Sequence, residues 1–248
     1  MNITGQTILI TGGGTGIGRA LAEALHARGA QVIITGRRED VLKDTVAANP
    51  GMAWAALDVA DAEAIPAFAA RLVKDHPGLN AVIHNAGIMK VEDLKAQPFD
   101  LATVDATIAT NLLGPIRLTA ALLPHLQAQP TATIMTVTSG LAFVPLAATP
   151  TYNATKAGLH SWTESLRHQL RDTAIEVLEL APPGVATDLM PGHAENPNSM
   201  PLADYTAEVI GLIERGDTPR GEILVERVKP LRFAEANGYE AVFEMLNG

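Results

Sequence analysis

Two side chains in the second half of the chain have the types and the spacing of an acid-base pair. Tyr152 and Lys156 stand four positions apart at the start of a predicted helix, so both lie on one helix face. A tyrosine with an ordinary pKa of about 10 is a poor base at neutral pH, but a nearby lysine cation lowers that pKa. We therefore expect Tyr152 to exchange a proton with a carbonyl or alcohol oxygen while hydride moves at the carbon. The alternative is a solvated helix face.

A serine at the end of the fifth predicted strand is the next candidate. Ser139 stands thirteen residues before Tyr152, and the carboxyl ends of parallel strands form the ligand crevice of such sheets. Ser139 is thus placed to approach a substrate oxygen, although an ordinary turn or cap serine has the same pattern. No GxSxG elbow surrounds it, and the seven histidines show no metal-ligand spacing. We expect neither a hydrolase nor a bound metal.

A glycine-rich turn follows the first predicted strand and opens a helix. The segment TGGGTGIG places Gly12, Gly16 and Gly18 in the spacing GxxxGxG. Glycine there lets backbone N–H groups and the positive end of the helix approach a pyrophosphate. Any tight strand-to-helix turn also uses glycine, so the motif alone is weak. Its position after the first strand of an alternating series favours a dinucleotide site.

The end of the second predicted strand distinguishes between two dinucleotides. An acidic residue there would bind the adenosine ribose hydroxyls, whereas arginine attracts a 2'-phosphate. The strand ends in Gly36, Arg37 and Arg38, and Glu39 and Asp40 come later, where we expect them to cap the next helix. This pattern favours NADP(H) over NAD(H). Two solvated arginines in a surface turn are the alternative.

The elements that position these residues alternate along the whole chain. Short β-branched apolar runs are separated by amphipathic stretches with apolar residues three and four positions apart, as in a parallel sheet covered on both faces. No repeat or linker divides the chain, so we expect one domain over residues 1–248, with a lid-like loop at 182–201. The predicted strands are residues 7–11, 31–35, 52–57, 81–84, 133–138, 175–180 and 222–225.

Composition excludes several classes of protein. The chain has 248 residues, 47% of them hydrophobic and 18% charged, a balance typical of a folded globular protein. The net charge of -9 opposes binding to nucleic acid or to an anionic membrane. There is no cysteine, no basic leader and no unbroken apolar run of about 18 residues, so we expect a cytoplasmic protein without a membrane span.

In this order and spacing, the motifs make the sequence resemble the short-chain dehydrogenase/reductase (SDR) family over essentially its whole length. The markers are TGGGTGIG at 11–18, AspVal at 58–59, AsnAlaGly at 85–87, Asn111, Ser139, the Tyr152/Lys156 pair and ProGlyValAlaThr at 183–187. The resemblance implies an α/β fold, a Rossmann-like doubly wound parallel sheet of seven strands in the order 3-2-1-4-5-6-7. His84 and Thr138 depart from frequent family residues, and Thr15 stands where some NADP-preferring members have a basic residue.

The resemblance also implies a catalytic tetrad. Tyr152 would be the general acid or base, Ser139 would orient the substrate oxygen, and Asn111 would hold a water of the proton relay. Lys156 would lower the pKa of Tyr152 and bind the nicotinamide ribose.

The family pattern further implies which residues bind the cofactor. Asp58 would meet the adenine amine, residues 85–87 would line the adenosine side, and Val185 and Thr187 would hold the carboxamide. The full set of expected cofactor residues is Gly12, Thr15, Gly16, Ile17, Gly18, Arg37, Arg38, Asp58, Val59, Asn85, Ala86, Gly87, Tyr152, Lys156, Pro183, Gly184, Val185 and Thr187.

Our first hypothesis is an NADP(H)-dependent oxidoreductase acting on a small carbonyl or alcohol substrate. The alternative from another class is a non-catalytic NADP(H)-binding redox sensor, which would have little need of all four tetrad residues. An enoyl reductase of the same fold would have tyrosine and lysine further apart.

The sequence also suggests where the substrate and further subunits would lie. The residues that we expect to form a mostly apolar substrate wall are Leu141, Phe143, Val144, Pro145, Asn153 and Met190. The family commonly forms homodimers or homotetramers through the helices expected near 101–123 and 152–171. The tail at 230–248 is expected to cover a neighbouring subunit or the chain's own substrate mouth.

Overall fold

A parallel sheet forms the centre of the molecule. The computed structural model describes residues 3–192 and 194–248, and its seven strands follow the order β3-β2-β1-β4-β5-β6-β7. The doubly wound order expected from the family resemblance is confirmed. The strands are β1 (Thr7–Thr11), β2 (Gln31–Gly36), β3 (Ala53–Ala56), β4 (Leu79–His84), β5 (Ala132–Val137), β6 (Ile175–Leu180) and β7 (Glu222–Ile223).

The central strands form because their residues are apolar or β-branched on both faces. Every residue of β1 and β5 is buried, as expected for strands that are covered by helices on each side. The two outermost strands are shorter than the sequence predicts. In particular, β7 pairs with β6 only through Glu222 and Ile223, because the chain turns into a 3-10 helix at Glu226–Val228.

Helices cover both faces of the sheet. Those described are α1 (Gly16–His26), α2 (Glu39–Ala48), α3 (Ala64–Asp75), α4 (Leu101–Ile108), α5 (Gly114–Gln127), α6 (Pro150–Gln169), α7 (Leu202–Arg215), α8 (Lys229–Arg232), α9 (Ala234–Asn237) and α10 (Tyr239–Asn247). Apolar residues of α1, α2 and α7 pack in one core cluster, and those of α3, α5 and α6 pack in the other. The two clusters lie on opposite faces of the sheet, as the alternating side chains of each strand require.

The segment Leu101–Gln127 is long and apolar enough to cross a membrane by length and composition alone. In the fold it comprises α4, a π-helical turn at Ala109–Leu113, and α5. Leu118, Leu122 and Leu126 of α5 are fully buried in a core cluster against the sheet. Packing of this face accounts for the apolar composition of the segment.

The carboxyl ends of the parallel strands meet along one edge of the sheet and position the candidate residues there. The glycine turn follows β1, Arg37 follows β2, Asn85 follows β4, Ser139 closely follows β5 and Pro182 closely follows β6. Five segments that are distant in the sequence therefore meet at one crevice.

The C-terminal tail folds back on its own chain. Leu231 of α8 packs against Gly140, where an added Cβ would lie only 2.6 Å from Leu231 Cδ1. Near the chain end, Asn247 Nδ2 donates to the Pro145 carbonyl at 3.1 Å, and its Oδ1 accepts from the Ala147 N–H at 2.6 Å. Within this chain, the tail thus covers the segment that follows Ser139.

Candidate active site

The glycine turn after β1 is built to leave backbone donors open. Gly12 and Gly16 have φ angles of +67° and +53°, in the left-handed region that side chains with a Cβ disfavour. A Cβ on Gly18 would lie 2.3 Å from Gly12 O. Thr15 is the N-cap of α1 but makes no side-chain hydrogen bond to it. The first N–H groups of the helix, which face the crevice, therefore have no side-chain cap. This arrangement fits a phosphate group.

A hydrogen-bonded brace holds that turn against β4. Asn85 Nδ2 donates to the carbonyls of Thr11 and Gly12 at 3.0 and 3.3 Å. The Thr11 hydroxyl in turn accepts from the backbone N–H groups of Asn85 and Ala86, each at 3.0 Å. Asn85 therefore contacts the crevice and also fixes its shape. The sequence reasoning did not single out Thr11; its buried position directly before the glycine turn is the available signal.

Two exposed arginines lie at the end of β2 beside the glycine turn. Among the described residues, neither the Arg37 nor the Arg38 guanidinium has an ion pair or a hydrogen bond. Glu39 is instead paired with Lys43 at 3.0 Å. Arg38 is the N-cap of α2, and Glu39 and Asp40 occupy its first turn without acting as the cap. Two uncompensated cations thus stand where the sequence predicts a 2'-phosphate contact.

An extended cleft joins this end to the candidate reactive residues. Its larger part has a volume of about 840 Å³, and a smaller part adjoins it near Asp58 and Val59. Most of the expected cofactor residues line one or both parts. They are Gly12, Thr15, Gly16, Ile17, Arg37, Arg38, Asp58, Val59, Asn85, Ala86, Gly87, Tyr152, Lys156, Pro183, Val185 and Thr187.

Three expected site residues do not line this cleft as the described residues define it. Gly18 is buried beneath the turn, and Asn111 is buried in the π-helical turn. Gly184 is exposed, and its carbonyl accepts from the Met200 N–H at 2.8 Å.

Helix α6 brings Tyr152 and Lys156 to the other end of the cleft. Both side chains are buried, with 6% and 4% of their surface exposed. Lys156 Nζ donates to the Val137 carbonyl at 2.7 Å and lies 5.6 Å from the centre of the Tyr152 ring. Ser139, directly beyond β5, lines the same end of the cleft. The structure thus brings together Ser139 and Tyr152, which are expected to act on the substrate oxygen, and Lys156, which is expected to act on Tyr152.

Burial controls the ionisation of this pair. It raises the pKa of Tyr152 to about 12, and a hydrogen-bond interaction with Ser139 opposes that rise only in part. Burial also lowers the pKa of Lys156 to about 8. Although the Lys156 cation would stabilise a phenolate, the pKa of Tyr152 is raised overall and not lowered as expected, because desolvation of the phenolate is the larger effect. Tyr152 is therefore a neutral phenol at neutral pH.

Asn111 fixes the backbone that leaves β4. Its Oδ1 accepts from the Ile88 N–H at 2.9 Å, and its Nδ2 donates to the Ile88 carbonyl at 2.8 Å and to the Thr155 hydroxyl at 3.3 Å. Both amide donors are thereby used within the chain. A Cβ on Gly87 would lie 3.4 Å from Asn111 Oδ1 and 3.7 Å from Lys156 Nζ, so this glycine keeps open the space between them.

Comparisons with known proteins agree with this geometry. A family model described as short chain dehydrogenase matches residues 6–198. Over 251 aligned positions, the chain is 41% identical to an uncharacterised oxidoreductase, DltE, of Bacillus subtilis, covering 100% of this chain and 98% of that protein. The chain belongs to the short-chain dehydrogenase/reductase family.

Two solved structures of short-chain dehydrogenases resemble this SDR protein over nearly its whole length. A short chain dehydrogenase from Burkholderia cenocepacia, in complex with NADP, superposes with a TM-score of 0.84 at 25% identity and covers 99% of each chain. An SDR from Burkholderia phymatum in complex with NAD has a TM-score of 0.81 at 21% identity, over 100% of this chain and 97% of the other. The second likeness supports the fold alone.

The substrate end of this SDR protein differs from the wall that the sequence suggests. Of the expected wall residues, only Met190 lines the cleft. Val144 and Asn153 are buried, and Asn153 Nδ2 donates to the Leu146 carbonyl at 2.7 Å. The segment after Ser139 forms a 3-10 turn that packs beneath the C-terminal tail. Met190 is joined at this end of the cleft by residues that the sequence did not suggest. They are Met89, Lys90, Val91, Leu189 and Pro191.

The loop expected at 182–201 is irregular in the described part of the SDR chain. A single bridge joins Val185 to Met200, and α7 begins at Leu202. One expected loop residue, His193, lies outside the described residues. Because Leu189, Met190 and Pro191 line the cleft, the loop forms one wall of its substrate end.

His84, the departure before the AsnAlaGly motif, is a structural residue. It is 2% exposed, and its Nε2 hydrogen-bonds the Thr119 hydroxyl at 2.8 Å. Burial lowers the pKa of His84 to about 3, so the imidazole is neutral at physiological pH. It contacts the helix behind the sheet and lines neither part of the cleft as described.

Proposed function

We propose that this SDR protein is an NADP(H)-dependent oxidoreductase that interconverts a carbonyl compound and its alcohol, with Tyr152 as the proton donor. One observation carries the proposal. Ser139, Tyr152 and Lys156 lie at one end of a continuous cleft, and the open start of α1 and two unpaired arginines lie at the other. A cleft that joins two such ends could take an extended dinucleotide.

The cofactor would be held mainly by backbone N–H groups and by exposed charged side chains. The start of α1 would bind the pyrophosphate, and Arg37 and Arg38 would bind the 2'-phosphate of NADP(H). Asp58 would meet the adenine, and Val185 and Thr187 would hold the carboxamide. The relative from Burkholderia cenocepacia, solved with NADP, supports this choice. When bound, the cofactor supplies the hydride that reduces the carbonyl carbon.

The protein's own residues would supply the proton. Since the pKa of Tyr152 is raised to about 12, its phenol carries the proton at neutral pH and can donate it to the substrate oxygen. The Ser139 hydroxyl would orient that oxygen. One hydride at carbon and one proton at oxygen complete the alcohol and leave a phenolate, which the Lys156 cation stabilises. A water bound at Asn111 would then pass a proton from solvent to the Tyr152 phenolate.

The substrate end favours a small, mostly apolar ketone or aldehyde. Met89, Val91, Leu189 and Met190 line it, and the charged residues Lys90 and Asp188 lie among them. The proposal treats residues 1–248 as one domain whose 182–201 loop acts as a lid. It includes a cytoplasmic location and a homodimer or homotetramer, which rest on the sequence and the family resemblance.

The test is NADPH consumption by the full-length protein with a panel of ketones, aldehydes and diketones. We expect turnover with at least one of them. Tyr152→Phe should reduce kcat by about a thousandfold and leave the NADPH Kd unchanged, because it removes only the transferable proton. Tyr239→Phe, which alters a tyrosine stacked on Phe243 in the tail, is the matched control and should retain activity.

The two other outcomes are distinct. Full activity in Tyr152→Phe would contradict the assigned proton donor. Tight NADPH binding without turnover of any substrate would instead favour a redox sensor that regulates a partner.

A further inference from the structure

A buried polar cluster lies directly behind Ser139, and the proposed mechanism does not use it. Glu179 of β6 is fully buried. Its carboxylate accepts from the Thr138 hydroxyl at 2.7 Å and from His160 Nδ1 at 2.8 Å. Thr138 is the residue before Ser139, and His160 lies one helical turn after Lys156 on α6. A carboxylate at such a position needs partners, and its partners are the neighbours of the reactive residues.

The contacts of this cluster are better explained by hydrogen bonds and ion pairs than by a bound metal ion. Ligand atoms of His160, Glu179 and Glu222 lie within 4.8 Å of one another, which is a suitable spacing for a cation. Arg232 Nε, however, donates to Glu222 at 2.6 Å, and the Arg232 guanidinium stacks 4.7 Å from the Phe143 ring. The two carboxylates are therefore matched by one arginine and one histidine, and each carboxylate already accepts a hydrogen bond from one of them.

Two successive contacts tie α6 to the end of β5. Lys156 binds the Val137 carbonyl at 2.7 Å. One turn later, His160 binds Glu179, which binds the hydroxyl of the next residue, Thr138. Because α6 also carries Tyr152, these contacts fix the helix with the proton donor relative to the turn with Ser139.

The backbone around Ser139 is held on both sides. The Thr138 N–H donates to the Leu180 carbonyl at 2.9 Å, and the Gly140 N–H donates to the Pro182 carbonyl at 2.8 Å. Ser139 itself is extended, and its Oγ accepts from the Leu141 N–H at 3.1 Å. The Thr138 hydroxyl bond adds a side-chain anchor to this segment.

We propose that Thr138 and Glu179, together with His160, are positioning residues that set the place of the Ser139 hydroxyl relative to Tyr152. This inference rests on the proposed function, in which Ser139 orients the substrate oxygen. Displacement of such a group by a fraction of an ångström lowers the rate of a reaction without removing any reacting group. None of the three residues needs to touch the substrate.

The test compares variants that differ by one hydroxyl. Thr138→Val keeps the shape of the side chain and removes the donor, and we expect kcat to fall about tenfold with the NADPH Kd unchanged. Thr138→Ser keeps the donor and should retain most of kcat. Thr138→Ala, compared with Thr138→Ser, isolates the same hydroxyl if the valine variant folds poorly. Glu164→Gln is the control, since Glu164 faces His160 at 3.8 Å from the exposed side.

A double-mutant cycle separates positioning from general destabilisation. In a Ser139→Ala background, Thr138→Val should cause no further loss of kcat, because the group that it positions is gone. A second readout does not depend on turnover. Hydrogen exchange of the Leu141 N–H, which is bonded to Ser139 Oγ, should become faster in Thr138→Val but not in Glu164→Gln.

Each contrary outcome is informative. Equal losses from Thr138→Val in both backgrounds, or an unchanged kcat in the otherwise wild-type protein, would overturn the inference alone. Full activity of Ser139→Ala would overturn both the assigned role of Ser139 and this inference. Absence of turnover in Tyr152→Phe, with full activity in Thr138→Val, would leave the proposed function standing and reject only the positioning network.

Discussion

The two ends of the cleft are built on opposite principles. At the glycine-turn end, the groups available for binding are backbone N–H groups and two exposed arginines that have no partner in the described part of the chain. At the reactive end, Tyr152 and Lys156 are buried, and burial shifts both pKa values toward the neutral forms. In the proposed function, recognition of a charged ligand would rely on accessible charge and open backbone, whereas proton transfer would rely on desolvated side chains held in place by their neighbours.

This difference predicts different responses to mutation. Changes at the glycine-turn end should alter cofactor affinity with little effect on the chemical step. Changes at the reactive end should alter turnover, and their effect on stability should depend on what burying each group costs, because the same buried groups are part of the core.

The largest effect on cofactor affinity should come from closing the glycine turn. Gly18→Ala would place a Cβ 2.3 Å from both Gly12 O and Asn85 Nδ2, so the turn and its brace must shift. We expect NADPH affinity, measured by fluorescence titration, to fall by at least about a hundredfold. Gly158→Ala is the matched control, because its Cβ would make an ordinary contact with Leu112 at 3.5 Å. Binding of NADPH to Gly18→Ala within threefold of wild type would contradict the assignment.

At the reactive end, Lys156→Met should reduce kcat by about a hundredfold without destabilising the fold. Lowering the Lys156 pKa from 10.5 to about 8 corresponds to a cost of about 3 kcal/mol for burying the cation. Removing the cation therefore recovers this cost. Loss of the hydrogen bond between Lys156 and the Val137 carbonyl offsets about 1 to 3 kcal/mol of that gain. We expect the free energy of unfolding at pH 7 to stay unchanged or rise by about 1 kcal/mol.

The pH dependence of unfolding checks the sign of this effect. Between pH 8 and 10.5 the unfolded chain binds more protons at Lys156 than the folded chain does, so this group makes wild-type stability rise with pH in that window. The raised pKa of Tyr152 acts in the opposite direction above pH 10. Urea unfolding at a series of pH values should show the Lys156 rise in wild type and not in Lys156→Met. A variant that loses more than about 2 kcal/mol at pH 7 would show that the buried cation is stabilising.

A smaller effect is expected from the exposed charges. Replacing Arg37 and Arg38 together by alanine should raise the NADPH Kd about tenfold and leave the NADH Kd unchanged, because only NADPH carries the 2'-phosphate. The loss should shrink at high salt, as for any exposed charge pair. Arg71→Ala removes an exposed cation from α3, away from the cleft, and serves as the control. Equal weakening of NADPH and NADH would reject 2'-phosphate recognition at these arginines.

Local patterns in the sequence predict much of the glycine-turn end and of the sheet. Short sequence segments predict the glycine turn and the two arginines, Arg37 and Arg38. The strand order follows from the family resemblance. The length of β7 is not predictable in this way, because buried Leu224 and Val225 continue the apolar run although pairing ends at Ile223.

The reactive end depends on contacts between distant segments, which no local pattern contains. Glu179 lies in the apolar run of β6 and bonds Thr138, which is 41 positions earlier in the chain. A carboxylate inside a predicted buried strand is the available signal, and it was not used. The direction of the Tyr152 pKa shift also depends on burial by several elements. The expected substrate wall was wrong for a similar reason, since the tail covers the segment after Ser139.

The most direct test of the central claim follows the hydride itself. A ketone identified in the panel is reduced with NADPH deuterated at the transferable position of nicotinamide C4, and the alcohol is analysed by mass spectrometry and NMR. We predict one deuterium on the carbinol carbon, a hydroxyl proton from solvent, and formation of this product about a thousandfold more slowly by Tyr152→Phe. NADPH consumption that yields an alcohol without deuterium at that carbon would contradict direct hydride transfer in this cleft.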